Sequence, residues 1–346
     1  MNKYFYALSF LLIFSQKQLR AQTTDNPVTY MSQIEKAEEA VSKKYISYMS
    51  TVSHGKGSKA GDKKRSDLIN SIYEAKVKVS DMLAFSNDKS LRDASVAYLK
   101  LMYDVFNEDY AKIVNMEEIA EQSYDMMEAY LTAQEKAGEK LQEAAEKRSA
   151  EAKTFASAHN VNLITTKNEM SEKMEKIGKV SDYYHQVYLV FFKSSKQEGY
   201  LTDAVGKKDI NGIEQNKNAL LKYAEEGLNR LDTMHAFESD KTIVTSCKKA
   251  LEFFKEEAGA KIAVTTDFLL KNTEFEKLKK ALDAKPTKER TKQDVETYNK
   301  AVSDINKSMG TYNQTNQYLN TRRTDVYNNW NGTVQTFFDT HMPYAN

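Results

Sequence analysis

Proline is almost absent from this chain, and its scarcity constrains the fold more than any other feature of the sequence. Only Pro27, Pro286 and Pro343 occur among the 346 residues, so nothing between the first two forces a helix to end. Apolar residues recur there every three or four positions, the spacing of an amphipathic helix, and no segment alternates with the period of a β-strand. The sequence therefore predicts an all-α fold.

The polar composition fits long helices that each bury a narrow apolar stripe. Charged residues make up 29% of the chain and hydrophobic residues 40%, while the mean hydropathy is −0.67. A compact globular enzyme is usually less polar than this. Composition therefore favours an extended helical scaffold.

The first 21 residues have the features of an export signal peptide. Lys3 supplies a positive start, residues 4–14 form an apolar run too short to span a bilayer, and Ala21 precedes a polar segment. We predict that residues 1–21 are removed and that the protein is periplasmic, displayed on the cell surface or secreted. Their loss takes the basic residues from 50 to 47 against 49 acidic ones, a net charge of −2. That bulk charge gives no argument for nucleic acid or an anionic membrane as a partner, and no later stretch predicts a transmembrane helix.

A comparison of the two halves of the chain indicates an internal duplication. Matching pairs include Met31 and Met170, Phe85 and Phe237, and Phe155 and Phe337. Their separations are 139, 152 and 182 residues, so the second copy has a longer first loop and extra length near residues 285–287. We predict two helical repeats of about four helices each, over residues 22–160 and 161–346, packed as one elongated bundle.

The fourth helix of each repeat is predicted to be long and coiled-coil-like. In the first repeat it covers residues 116–159, and in the second the apolar stripe continues over residues 295–341. Asn316 and Arg323 interrupt this second stripe. Polar groups at such positions need partners or water, so they either fix the helix register or mark a solvated stretch.

A basic, glycine-containing turn between the first two predicted helices is a candidate anion-binding loop. Its candidate ligands are His54, Lys56, Lys59, Lys63, Lys64 and Arg65. The glycine spacing differs from that of a phosphate-binding P-loop, and a helix rather than a strand precedes it. Lysine charge that holds phosphate, sulfate or a polyanionic glycan is one interpretation. A solvated turn between helices is the other.

Two aspartate–histidine pairs raise the alternative of a ligand or metal site inside the bundle. Asp182 precedes His185 by three residues, as Asp232 precedes His235, so each pair shares a helix face. A di-iron bundle would also need inward-facing glutamates, which the sequence does not identify. The two histidines align with apolar residues of the first repeat, which favours neutral core histidines. We predict no metal and no cofactor, with a small-ligand or metal-binding bundle as the alternative.

Cys247 is the only cysteine, so an intrachain disulfide is excluded. Its apolar neighbours favour a small core residue over a nucleophile, which would need an adjacent base. The sequence also lacks a serine hydrolase motif. We therefore expect a non-enzymatic envelope or surface protein that binds a macromolecule, either protein or glycan, or associates with itself.

Five segments carry a resemblance to a known family: residues 26–28, 54–56, 107–113, 116–124 and 329–331. On these the chain resembles uncharacterised, exported helical proteins of Bacteroidota and spirochaetes that are often described as surface proteins. The segments are packing and loop patterns rather than catalytic signatures. The resemblance implies a location in a Gram-negative envelope, and it supplies no activity or ligand.

Overall fold

The structure, a computed structural model, describes residues 26–55, 57–109, 120–164 and 168–345. Within these ranges the regular secondary structure is helical and no β-strand occurs, which confirms the all-α prediction. None of the helices there is both long and apolar enough to cross a bilayer. The predicted signal peptide lies outside the described residues.

The first half of the chain folds into amphipathic helices whose starts are set by side-chain caps. They are α1 (Pro27–Ser53), α2 (Ser58–Ser80), α3 (Ser90–Asp104) and α4 (Tyr124–Ala158), with a π-helical turn at Val105–Asp109. The Oδ1 atom of Asn26 accepts a hydrogen bond from the Val28 N–H at 2.8 Å, and Pro27 occupies the first helical position. Both choices favour a helix start at this point.

The start of α4 differs from the sequence prediction. The Ser123 hydroxyl accepts a hydrogen bond from the Met126 N–H at 3.2 Å, so Ser123 is the N-cap and the helix begins at Tyr124. The prediction of a helix over residues 116–159 was therefore wrong at its start. Residues 116–119 lie outside the described ranges.

The second half contains longer helices. They are α5 (Glu169–Gly206), α6 (Ile210–Asp232), α7 (Thr242–Glu256), α8 (Ile262–Asp283) and α9 (Lys292–His341). A π-helical turn, Glu257–Lys261, joins α7 to α8, and a single 3₁₀ turn, Thr287–Glu289, precedes α9. The 50-residue α9 confirms the predicted length of the last helix.

The chain divides into two compact units. Unit 1 comprises residues 1–186 and 335–346, and unit 2 comprises residues 187–334. The core of unit 1 includes Met31, Ile34, Leu68, Ile72, Leu91, Leu99, Phe106 and Phe155. In unit 2 the ring of Phe191 stacks on that of Trp330, with 4.2 Å between centroids. Since α5 and α9 contribute to both units, the units are cut differently from the two sequence repeats.

Several local structures recur 152 residues apart. The backbones of Phe85 and Asp88 exchange two hydrogen bonds, and those of Phe237 and Asp240 do the same. In both turns the two central residues have positive φ, as hairpin turns with this twist require. The starts of α2 and α6, of α3 and α7, and of the two π-helical turns show the same offset.

Candidate functional site

The structure does not leave the predicted anion-binding residues as one flexible loop. Lys56 lies outside the described residues, and α2 begins at Ser58. Lys59 and Lys63 are therefore exposed on its first turns, with the partly buried Lys64 beside them. The prediction of a flexible stretch up to Arg65 was wrong, because most of it is helical.

Two of the same candidates make contacts within unit 1. The Nδ1 atom of His54 lies 2.6 Å from the Ser50 carbonyl oxygen, and its ring stacks on Tyr344 at 3.8 Å. The Nη2 atom of Arg65 donates to the Phe106 carbonyl oxygen at 2.9 Å, at the π-helical turn. These contacts give both residues a structural role, and anion binding by the remaining lysines stays a prediction.

The two histidines of the alternative site have different environments. Burial lowers the pKa of His185 to about 4, so its imidazole is neutral at physiological pH. His235 is exposed, contrary to the predicted core position, because α6 ends at Asp232 and the histidine lies in the following turn. No group of three metal-ligating side chains converges among the residues that the structure describes.

Cys247 lies fully buried in the core of unit 2, as predicted. Its Sγ atom is 3.9 Å from the Val187 carbonyl oxygen. Burial raises the pKa of the thiol, so the thiolate that a nucleophile needs is disfavoured.

Arg323 forms the centre of a buried ionic cluster in unit 2. Its Nε atom donates to Glu198, its Nη2 atom donates to Glu257 Oε1 at 2.6 Å, and its Nη1 atom to Asn320 Oδ1 at 2.7 Å. The Tyr327 hydroxyl donates to the other oxygen of Glu198 at 3.3 Å. Both glutamates are buried. The cluster thus supplies the partners that a polar interruption of the α9 stripe requires.

The charges of this cluster do not balance when both glutamates are ionised. Glu257 Oε2 is buried without a hydrogen-bond partner. Burial, and next the charge of Glu198, raise the pKa of Glu257 to about 7, against the opposing effect of Arg323. Glu257 belongs to the π-helical turn, a distortion that is frequent at functional sites. The cluster can therefore take up a proton near neutral pH.

Unit 1 contains a comparable cluster at unrelated sequence positions. Arg148 of α4 binds Glu38 of α1 through two parallel contacts of 3.0 and 2.7 Å. Nearby Glu35 has one buried oxygen without a partner. Burial is the main cause that raises its pKa to about 7. Sequence reasoning missed Glu35, Glu38 and Arg148, whose only signal is a charge on an otherwise apolar helix face.

A long antiparallel hairpin, formed by α8 and residues 292–312 of α9, is the most exposed part of unit 2. Two aromatic stacks hold its helices together, Phe268 on Tyr312 at 4.4 Å and Phe275 on Tyr298 at 5.8 Å. We call this element the hairpin.

The end of the hairpin is ordered by its own hydrogen bonds. The backbone N–H of Thr291 donates to Asp294 Oδ2 at 2.9 Å, and the Asp294 N–H returns a bond to the Thr291 hydroxyl at 3.1 Å. Lys285 contacts the Asp294 carboxylate at 2.8 Å. This lysine is the main cause that lowers the pKa of Asp294 to about 2. The turn between the helices therefore has a defined geometry.

The hairpin leaves large apolar side chains in contact with solvent. Leu270, Val295 and Met309 are 49%, 43% and 44% exposed. Val295 and Met309 belong to the predicted apolar seam, so their expected burial was wrong. Two paired helices cover only one side of each other, and the stripe extends beyond that side.

The end of the hairpin also carries a concentrated positive charge. Residues 277–292, which we call the hairpin tip, contain seven basic and two acidic residues, a net charge of +5. Lys277, Lys279, Lys280 and Lys288 are exposed there. Among the described residues, no carboxylate forms an ion pair with any of these four.

A cleft of about 450 Å³ in unit 2 provides a further concave surface. Polar side chains line it, and its Ser246 hydroxyl donates to Asn329 Oδ1 at 2.9 Å. Neither His185 nor His235 is part of its lining. The cleft therefore does not coincide with the ligand site predicted near the histidines.

No protein-family model matches this chain, and neither does any curated protein or solved structure. The buried clusters can bind a proton, whereas the hairpin presents charge and apolar surface to solvent. We therefore infer function from the chemistry of these residues.

Proposed function

We propose that this chain is a non-enzymatic, exported helical protein that binds a macromolecular partner through the hairpin of unit 2. The observation that carries the proposal is the hairpin, which is ordered by its own contacts yet exposes large apolar residues and unpaired lysines. Scattered apolar residues are common on protein surfaces, but several beside a charged tip on one element favour a docking surface.

A duplication of the chain supports the same element. The turns and helix starts that recur 152 residues apart favour two related copies. The offset grows to 182 residues between Phe155 and Phe337, and the additional residues fall within the hairpin. Insertions at a connection between elements are tolerated and often carry function. The hairpin is then the part that the second copy has gained.

The proposed location in the cell envelope depends on the sequence of residues 1–21 and on the resemblance to exported surface proteins. Both remain predictions. An envelope partner follows from that location, since periplasmic, surface-displayed and secreted proteins all meet envelope material.

Shortening the hairpin tests the proposal directly. In the variant, a Gly-Asn-Gly-Ser turn replaces residues 273–300, which keeps the stack of Phe268 on Tyr312 in place. We expect the full mature chain to co-sediment with envelope fragments of a Gram-negative bacterium and the shortened chain to stay in the supernatant. Circular dichroism should show that the shortened chain is still helical, because the removed residues are mostly exposed. Equal co-sedimentation of the two chains would contradict the proposal.

A further inference from the structure

We propose that the hairpin tip binds an anionic lipid surface. This inference rests on the proposed function and names the chemistry of the partner. The chain as a whole has a net charge of +1, whereas the 16-residue tip alone has +5, so the rest of the chain carries −4. The near-neutral bulk charge therefore conceals a local site with the opposite sign to an anionic membrane.

The basic side chains of the tip are available to a partner. Lys277, Lys279, Lys280 and Lys288 are exposed without ion pairs among the described residues. Each lysine near an anionic bilayer strengthens binding about fivefold, and the effect disappears beyond a Debye length. Four such lysines within one tip give an attraction that isolated surface lysines do not.

The tip is also organised before it binds. The reciprocal hydrogen bonds between Thr291 and Asp294, and the contact of Lys285 with Asp294, fix the turn. The stack of Phe275 on Tyr298 fixes the two helices behind it. Little conformational entropy is therefore lost when the lysines meet a surface.

The residue types favour a lipid surface over a nucleic acid. The only arginine of the tip, Arg290, donates its Nε–H to the Lys285 carbonyl oxygen at 3.1 Å, and lysines lack the forked geometry that recognises individual phosphates. Phe275 and Tyr298 stack on each other, so they do not offer a platform for bases. A flat layer of headgroups requires only point charges on the end of a hairpin.

Vesicle flotation with the full mature chain tests the inference. The probes are vesicles of phosphatidylcholine alone and of phosphatidylcholine mixed with phosphatidylglycerol. We expect the protein to float with the mixed vesicles only, and to be released by high salt because exposed charges are screened. Binding to both kinds of vesicle alike, or to neither, would overturn the proposal.

A matched pair of variants locates the contact. In the tip variant, glutamine replaces Lys277, Lys279, Lys280 and Lys288. In the control, it replaces Lys44, Lys136, Lys140 and Lys147, which are exposed lysines of unit 1 without ion pairs. We expect the tip variant to bind mixed vesicles at least about tenfold more weakly and the control to change less than about twofold. An equal loss in both would show a general charge effect and overturn the proposal.

The co-sedimentation assay separates the two proposals. A chain that binds envelope fragments through the hairpin but ignores mixed vesicles would overturn the lipid proposal and leave the hairpin as a docking element. A chain that binds neither would overturn both. Circular dichroism of the two lysine variants shows whether a loss of binding reflects a loss of fold.

Discussion

Arg323 holds together two carboxylates that would otherwise repel each other inside unit 2. It donates to Glu198 and Glu257 at once, while Asn320 orients its remaining nitrogen. Buried charges are tolerated only when they are paired and hydrogen-bonded. This one guanidinium therefore keeps helices α5 and α9 and the π-helical turn compatible.

Replacing Arg323 with methionine should strongly destabilise the protein. Glu198 and Glu257 would then lose their only cationic partner in the cluster, and breaking a buried ion pair in this way costs about 3–5 kcal/mol. Urea unfolding at neutral pH measures the change in the free energy of unfolding. The control is Arg322→Met at the exposed neighbouring position, which should cost less than about 0.5 kcal/mol. Similar losses in both variants would argue against a central role of the cluster.

The sequence identifies Arg323 as a polar interruption of an apolar stripe but not its partners. Glu198 and Glu257 are 125 and 66 residues away, and no local pattern joins residues at such distances. His235 failed for another reason. It aligns with Leu83 of the first repeat, which suggested a core position, but Leu83 is itself 85% exposed. An apolar residue in an alignment does not establish burial.

At the scale of the helices, two glycines should respond in opposite directions to alanine. A Cβ atom on Gly227 of α6 would lie 2.9 Å from side-chain atoms of both Leu251 and Val190, whereas one on Gly310 of α9 would meet nothing within 4 Å. We expect Gly227→Ala to lower the free energy of unfolding by about 1–3 kcal/mol through overpacking.

We expect Gly310→Ala, by contrast, to raise the stability of the helix by about 0.5–1 kcal/mol, since alanine loses less backbone entropy. Urea unfolding of the two variants beside the parent chain measures both changes. Destabilisation by both would show that α9 is more crowded at Gly310 than the structure indicates.

Helical periodicity predicted the existence of the elements better than their limits and neighbours. The apolar stripe of α9 and its length were correct, because a 3.6-residue repeat over 50 residues is a strong signal. The exposure of Val295 and Met309 was missed, because periodicity shows which face is apolar but not how many helices cover it. The start of α4 at Tyr124 depends on the Ser123 cap, a local choice among several candidates.

At the scale of the whole chain, each unit contains one glutamate with a raised pKa, and the two should shape stability against pH together. Glu35 and Glu257 have pKa values of about 7 in the folded chain, against 4.5 ordinarily. The folded chain therefore binds more protons than the unfolded chain between these values. The free energy of unfolding should fall as the pH rises from about 4.5 to about 7, by up to about 3 kcal/mol for each glutamate.

The double variant Glu35→Gln, Glu257→Gln should show a flatter profile over the same pH range, because glutamine does not titrate. Urea unfolding at a series of pH values measures the slope. In the control, glutamine replaces the exposed Glu135 and Glu252, and the parent slope should remain. A parent chain whose stability is constant from pH 5 to pH 7 would contradict this prediction.

The sequence predicted the all-α class of the whole chain, and its internal matches fall at turns that recur in the structure, such as Phe85–Asp88 and Phe237–Asp240. It did not predict the two compact units, because their limits fall inside the continuous helices α5 and α9. A change of packing partner within a helix leaves no proline, glycine or composition change to mark it. The charge of the hairpin tip was likewise hidden by counting over the full length.

The stack of Phe191 on Trp330 gives unit 2 an optical signature of its own. Trp330 is the only tryptophan of the chain, and it is buried. Its fluorescence therefore reports on unit 2 alone, whereas ellipticity in the far ultraviolet adds the helices of both units. Cys247, the single thiol, lies in the same unit and becomes reactive only when its core opens. Emission, thiol labelling and ellipticity recorded on one sample thus distinguish the unfolding of unit 2 from that of the whole chain without an engineered probe.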